Sequence, residues 1–207
     1  MLEPKYQVLG AFLFAPFAEK YAKEIEVETR VSHERALHYL DLLSKEGVLI
    51  KKPKGKQVFF SINRRNETVA KLLAVLEFER KAFFLSQTPI APMIFELLKK
   101  LKSDFNGSVA FALLFGSAAR NQAARSSDVD FLLATNGGGN IAKRLELEVK
   151  IFERGFNYAI SPSVISLASL AKNWHKEPIY KSIWKDRVVL SGEERFWEFA
   201  LSAGEII

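Results

Sequence analysis

Leu113-Leu114-Phe115-Gly116-Ser117-Ala118-Ala119-Arg120, followed by Ser127-Asp128-Val129-Asp130-Phe131-Leu132-Leu133, is the stretch that decides how this chain is read. Ser108–Phe115 is apolar enough for a central strand, and Gly116-Ser117 breaks it. Ala118–Ala124 reads as a helix start and Asp128–Ala134 as a second strand. Residues i and i+2 of a strand share a face. Asp128 and Asp130 therefore stand side by side, while Val129 and Phe131 turn into the opposite layer. Adjacent carboxylates repel unless a cation lies between them. Hard oxygen donors of this kind suit Mg²⁺ or Mn²⁺, which also bind substrate phosphates. Upstream, the glycine lets backbone approach a ligand, and the N–H groups that open a helix favour an anion. The Ser117 hydroxyl adds a donor. A phosphate cradle beside paired carboxylates is suited to nucleotidyl transfer, in which metal ions stabilise an in-line displacement.

Working outward, the C-terminal half alternates helix and strand. Met93–Lys102 has helical spacing, and Thr135–Asn140 reads as a loop. Ile141–Arg154 is predicted helical, Asn157–Ile165 a third strand, and the region of Arg187–Leu190 a last one. This mixed alternation with short connections indicates an α/β or α+β domain over residues 90–207. Glu67–Gln87 is strongly helical, with Pro89 and Pro92 beyond it. Residues 66–89 read as a connecting helix or a surface for a second subunit, so a homodimer is considered.

Residues 1–65 have a different pattern. Lys5–Leu13, Phe17–Glu26 and Ser32–Glu46 are predicted helices, the last with Ser32 as N-cap and Gly47 as its C-terminal glycine. Val48–Ile50 and Gln57–Ile62 read as strands around Lys51-Lys52-Pro53-Lys54-Gly55-Lys56. These residues hold 12 basic and 8 acidic side chains, so most of the chain's net charge of +6 sits here. Such charge gives salt-dependent affinity for nucleic acid without reading its sequence. Phe12, Phe14, Phe17, Phe59 and Phe60 are assigned to the core rather than to base stacking.

The composition narrows the function classes. Of 207 residues, 48% are hydrophobic and 26% charged, which excludes a disordered chain. The absence of cysteine excludes disulfides, thiolate metal sites and cysteine nucleophiles. His33, His38 and His175 are too scattered for a His-rich metal site. No apolar run nears the roughly 18 residues that span a bilayer. The start MLEPKYQVLG has no signal-peptide pattern, and a soluble, cytoplasmic protein is expected.

Gly-Ser, ten residues and then Asp-x-Asp resembles the DNA polymerase β-like nucleotidyltransferase superfamily. The wording Gly-Ser-x-Ala-Arg before Ser-Asp-x-Asp is most similar to its small prokaryotic branch, the minimal nucleotidyltransferases, over about residues 90–192. The resemblance implies that Gly116 and Ser117 contact nucleotide phosphates, that Arg120 touches the triphosphate, and that Asp128 and Asp130 hold Mg²⁺ or Mn²⁺ as catalytic ligands. It implies an NTP substrate, ATP in the first instance. Two positions depart from the pattern. Asn121 stands where the family usually has glycine. The later strand, Asn157–Ile165, lacks the third carboxylate that active members use. Its equivalent is Ser161, or else Asn157. Glu146, Glu148 and Glu153 belong to the preceding helix.

The order helix, helix, helix, basic hairpin resembles the winged helix-turn-helix domains of prokaryotic transcription regulators, through Val31–Leu40 and the exit at Leu43–Gly47. The resemblance places the third helix in the major groove of double-stranded DNA, with Ser32, His33, Arg35 and His38 on the groove face. Lys51, Lys52, Lys54 and Lys56 would meet phosphates from the wing. The expected protein has two domains, a winged helix-turn-helix joined to a polymerase β-like nucleotidyltransferase fold with a mixed sheet. It transfers a nucleoside monophosphate from an NTP to a hydroxyl. Some relatives act as antitoxins that modify or mask a HEPN-class helical protein, so a protein acceptor of that class is considered. The alternative is a DNA-binding regulator whose degenerate nucleotidyltransferase domain senses nucleotide or holds a partner.

Overall fold

A computed structural model describes residues 3–122 and 128–204. The chain divides into two compact units, residues up to 76 with 200–204, and residues 77–199. The division falls inside one helix, α3 (Thr68–Gln87), rather than at either of its ends. Among the described residues no helix is long and apolar enough to cross a membrane.

The first unit opens with a 3₁₀ helix, Pro4–Phe12, where the spacing predicts an α-helix. The second helix is shorter than predicted. Lys20–Tyr21 form a strand, β1, and α1 runs only over Ala22–Thr29. The reason is local: Tyr21 is extended, and its N–H donates to Glu24 Oε2 at 2.9 Å, which starts the helix there. α2 (His33–Lys45) follows the sequence closely. It ends in a Schellman motif, with Gly47 at φ +71°, its N–H on Ser44 O and the Val48 N–H on Leu43 O. Ser32 sits at the N-cap but makes no side-chain cap bond.

β2 (Leu49–Lys54) and β3 (Gln57–Ile62) pair with Lys54 opposite Gln57, which leaves only Gly55-Lys56 as the turn. Gly55 has φ +60°, as a two-residue hairpin turn requires of its first residue. The basic segment is therefore mostly strand, not loop. The antiparallel sheet has the order β1-β3-β2. Leu49, Phe60 and Ile62 point into a core with Phe12, Ile25, Leu40 and Leu43. Ile50, Lys52, Phe59 and Ser61 alternate onto the other face, so of the phenylalanines assigned to the core Phe12 and Phe60 lie there, whereas Phe14 is exposed and Phe17 and Phe59 are only half-buried.

The second unit is built on a four-stranded mixed sheet of order β6-β5-β4-β7. Its elements are α4 (Ala91–Asp104), β4 (Val109–Phe115), α5 (Gly116–Ala119), β5 (Val129–Thr135), α6 (Gly139–Glu153), β6 (Ile160–Ser166), α7 (Leu167–Asn173), α8 (Pro178–Asp186), β7 (Val188–Ser191) and the part of α9 (Glu193–Ala203) up to residue 199. The predicted Thr135–Asn140 loop is shorter, because Thr135 completes β5 and α6 starts at Gly139. The third strand starts at Ile160, so Asn157 lies outside it. The predicted helix from Ala118 ends at Ala119, and its Ala123 and Ala124 lie outside the described residues.

Ala112, Leu114, Val129, Phe131 and Leu133 cover one sheet face and pack with Ile94 and Leu97 of α4 and Leu145 and Val149 of α6. On the other face Phe111 meets Phe196 and Phe199, with ring centres 5.5 and 5.7 Å away. Buried beside these rings is an ion pair, Arg187 Nη2 to Glu77 Oε1 at 3.1 Å, both side chains fully enclosed. The Arg187 guanidinium also lies 3.9 Å from the Trp184 ring centre and donates to Trp184 O. Burial lowers its pKa to about 10, opposed by the Glu77 charge. It stays cationic at neutral pH.

Candidate active site

Where β4 ends, the backbone turns sharply. Gly116 takes φ +70°, a conformation that glycine adopts without strain. A Cβ there would lie 2.7 Å from Asp130 Oδ2. Glycine is thus required twice, by the turn and by the carboxylate against it. Phe115 pairs with Asp130 across β4 and β5, which brings the Gly116-Ser117 turn to the start of β5. Asn121 explains its own departure from glycine. Its φ is +55°, a left-handed conformation that asparagine tolerates better than most residues.

Asp128 lies just before β5 and is exposed; Asp130 lies within it and is half-buried. The Asp130 carboxyl is held above the ordinary carboxylate range by burial first and the Asp128 charge second, while the Ser161 hydroxyl pulls the other way. A cation beside both carboxylates would offset the first two effects, so the donor set fits a divalent metal.

Ser161 is the parallel-strand partner of Asp130, and directly paired strand residues share a face. Ser161 therefore stands beside Asp130, whereas Asn157 precedes the strand. The α6 carboxylates lie in the opposite layer. Glu148 pairs with Lys100 at 3.0 Å and Glu153 with Lys150 at 2.9 Å, while Leu145 and Val149 of the same helix enter the core on the Phe131 face. Among the described residues no three His, Asp or Glu side chains gather as a metal site.

Arg120 is held by Asp186 at the end of α8 and donates from Nε to Gln122 at 3.1 Å. A triphosphate would compete with Asp186 for it. No sequence signal points to this partner, which lies 66 positions away.

In the first unit the proposed DNA contacts are spread over two elements. Arg35 and His38 are exposed on α2, and Ser32 is exposed at its start. His33 Nδ1 lies 3.1 Å from Glu26 Oε2. The lysines do not form one uniform cluster. Lys51 pairs with Asp41 at 3.2 Å, Lys52 with Glu19 at 3.5 Å, and Lys54 also with Glu19. Lys56 lies exposed in the turn.

Residues 96–193 match the family model of polymerase beta nucleotidyltransferases. The matched segment runs from α4 to the start of α9 and includes Gly116, Ser117, Asp128, Asp130 and Ser161. Residues 1–95 lie outside it. No curated protein matches the chain.

Proposed function

We propose that the second unit binds an NTP, with ATP the first to test, and transfers its nucleoside monophosphate to a hydroxyl acceptor. The observation that carries this reading is the juxtaposition of the Gly116 backbone, Asp130 and Ser161 across three neighbouring chain segments, inside the segment that matches the nucleotidyltransferase model. Asp128 and Asp130 would hold Mg²⁺ or Mn²⁺. When bound, the metal neutralises triphosphate charge and stabilises the in-line displacement. Gly116 leaves room for a phosphate near the strand end, and Ser117 offers a backbone N–H and a hydroxyl. Arg120 would exchange Asp186 for a phosphate oxygen. In the transfer the acceptor oxygen bonds to the α-phosphorus, the α–β phosphoanhydride bond breaks, and pyrophosphate leaves with its electron pair. Ser161 is a neutral ligand and a poor base, so the acceptor's proton passes to solvent and that deprotonation is the slow point. A HEPN-class protein acceptor rests on the family resemblance alone.

For the first unit we propose a winged helix that binds double-stranded DNA. Its support is the order helix, strand, helix, helix, hairpin, with α2 carrying Ser32, His33, Arg35 and His38 and the hairpin carrying Lys51, Lys52, Lys54 and Lys56. A second reading is favoured by Ser161: a DNA-binding regulator whose nucleotidyltransferase domain binds nucleotide or a partner without turnover. Two measurements separate these readings. Calorimetry on wild type and Asp128→Asn/Asp130→Asn should show metal-dependent NTP affinity only in the wild type. Equal affinities would overturn the site. Transfer of α-labelled nucleotide to an acceptor protein, seen with wild type and absent from the double variant, distinguishes the enzyme from the sensor.

A further inference from the structure

In the three-stranded sheet of the first unit Leu49, Phe60 and Ile62 are buried, whereas Ile50, Lys52 and Lys54 on the opposite face are exposed. On its outer face lies a groove of about 990 Å³, lined by Phe17, Ile50, Ser61, Arg64 and Arg65 among others. The Arg64 guanidinium sits 5.1 Å from the centre of the Phe17 ring. A guanidinium laid on an aromatic ring is pre-oriented, and its outer face is open to a further flat group. Asn63 shapes the rim: its Nδ2 donates to Gly47 O at 2.7 Å, and its Oδ1 accepts from the Arg65 N–H at 3.3 Å. Both arginine side chains are exposed.

The same face continues beyond the groove with more rings and cations. Lys52 is opposite Phe59 and Lys54 opposite Gln57. Lys54 Nζ lies 5.2 Å from the Phe59 ring centre, and the Tyr21 ring meets Phe59 edge-on at 6.0 Å. Glu19, which also lines the groove, is the acid on this stretch and is engaged by Lys52 and Lys54. The excess is therefore positive, and it is interleaved with aromatic surface.

We infer that this outer sheet face binds single-stranded nucleic acid. Cations track a phosphate backbone, and stacking on an aromatic or guanidinium plane needs a base freed from its own stack, which a duplex does not supply. The groove volume is at the upper end of the about 300–1,000 Å³ usual for a single small ligand, so there is room for more than one nucleotide. The inference does not depend on the nucleotidyltransferase site. It does not use the α2 face proposed for duplex DNA, while Lys52 and Lys54 of the hairpin belong to both surfaces.

The test is fluorescence anisotropy with the full chain and a labelled oligo-dT or oligo-U of about ten nucleotides. A duplex of equal length and a labelled mononucleotide serve as comparisons. The wild type should bind the single strand more tightly than the mononucleotide, and the duplex should not need Phe17 or Arg64. Phe17→Ala and Arg64→Ala should each weaken that binding about tenfold, within the range expected when one base loses its stacking platform. Arg64→Glu/Arg65→Glu, on exposed residues, should flatten the salt slope by roughly 0.7 for each phosphate no longer neutralised; this variant decides the matter if Phe17→Ala does not fold. Arg35→Glu/His38→Glu should leave single-strand binding unchanged. Wild-type affinity no greater for the single strand than for the mononucleotide would overturn the inference. So would single-strand binding that Arg64→Glu/Arg65→Glu does not alter.

Discussion

The two sheets of this protein solve the same burial problem in opposite ways. The four-stranded sheet is covered on both faces, by α4 and α6 on one and by the aromatic side chains around Phe111 on the other. Its central strands β4 and β5 accordingly read as near-continuous apolar runs, and Gly116, Asp130 and Ser161 meet at one end of the sheet. The three-stranded sheet buries Leu49, Phe60 and Ile62 on one face, and its other face carries Lys52, Lys54, Phe59 and Ser61. A covered sheet offers a ligand an end; a half-covered one offers a surface. The first arrangement suits a small charged substrate held at fixed points, and the second suits an extended polymer.

The largest effect should come from breaking the interior of the covered sheet's unit. Glu77→Ala leaves the Arg187 cation enclosed without its carboxylate, and breaking such a buried pair typically costs about 3–5 kcal/mol. Denaturant unfolding measures it. A loss below about 1 kcal/mol would mean that the pair is not closed off from water.

A smaller change, but one of function, is expected at the sheet end. Ser161→Asp restores a carboxylate opposite Asp130 and should raise nucleotide transfer by about 10²-fold or more, the lower range of general-base contributions. NTP affinity should change little. Single-turnover transfer of labelled nucleotide reads the gain. A wild type that already transfers rapidly, with Ser161→Ala equally fast, would show that the reaction here needs no third carboxylate.

On the half-covered sheet, Lys51→Ala/Lys52→Ala/Lys54→Ala/Lys56→Ala should flatten the salt dependence of duplex binding by roughly 0.9 for each phosphate no longer neutralised. Glu19→Gln should act in the opposite direction and strengthen binding, because it releases Lys52 and Lys54. If neither variant alters the salt slope, the hairpin does not touch DNA.

The smallest effect is on acid stability. The Lys54 and Lys52 ammoniums hold the Glu19 carboxyl below its ordinary value, and Lys45 and Lys51 do the same for Asp41. A depressed carboxylate pKa contributes stability that is present above the ordinary range near pH 4 and lost as pH falls through the lowered values. Glu19→Gln/Asp41→Asn should therefore lose less stability than wild type below about pH 4, and the two should converge in slope above about pH 5. Thermal melts across that range would show it, and parallel curves throughout would indicate that these exposed pairs contribute nothing.

What is legible in the sequence is local. Gly116-Ser117 and Asp128-x-Asp130 can be read without a partner, because a turn and a period-2 alternation depend only on neighbouring residues. The same holds for α2 and its Gly47 exit. The predicted helix over Phe17–Glu26 shows the limit. Lys20–Tyr21 become a strand because β3 offers them an edge to pair with, and that edge lies about 40 residues away in the chain. Tertiary structure alone decided that Ser161, not Asn157, stands beside Asp130, since parallel register is set by how β6 packs on the core. It also decided that Asp186 holds Arg120, that Glu19 draws in two of the hairpin lysines, and that Phe17 meets Arg64 on an open face. In each case the sequence specifies a side chain's chemistry, but its partner is chosen by burial and strand pairing between segments far apart in the chain.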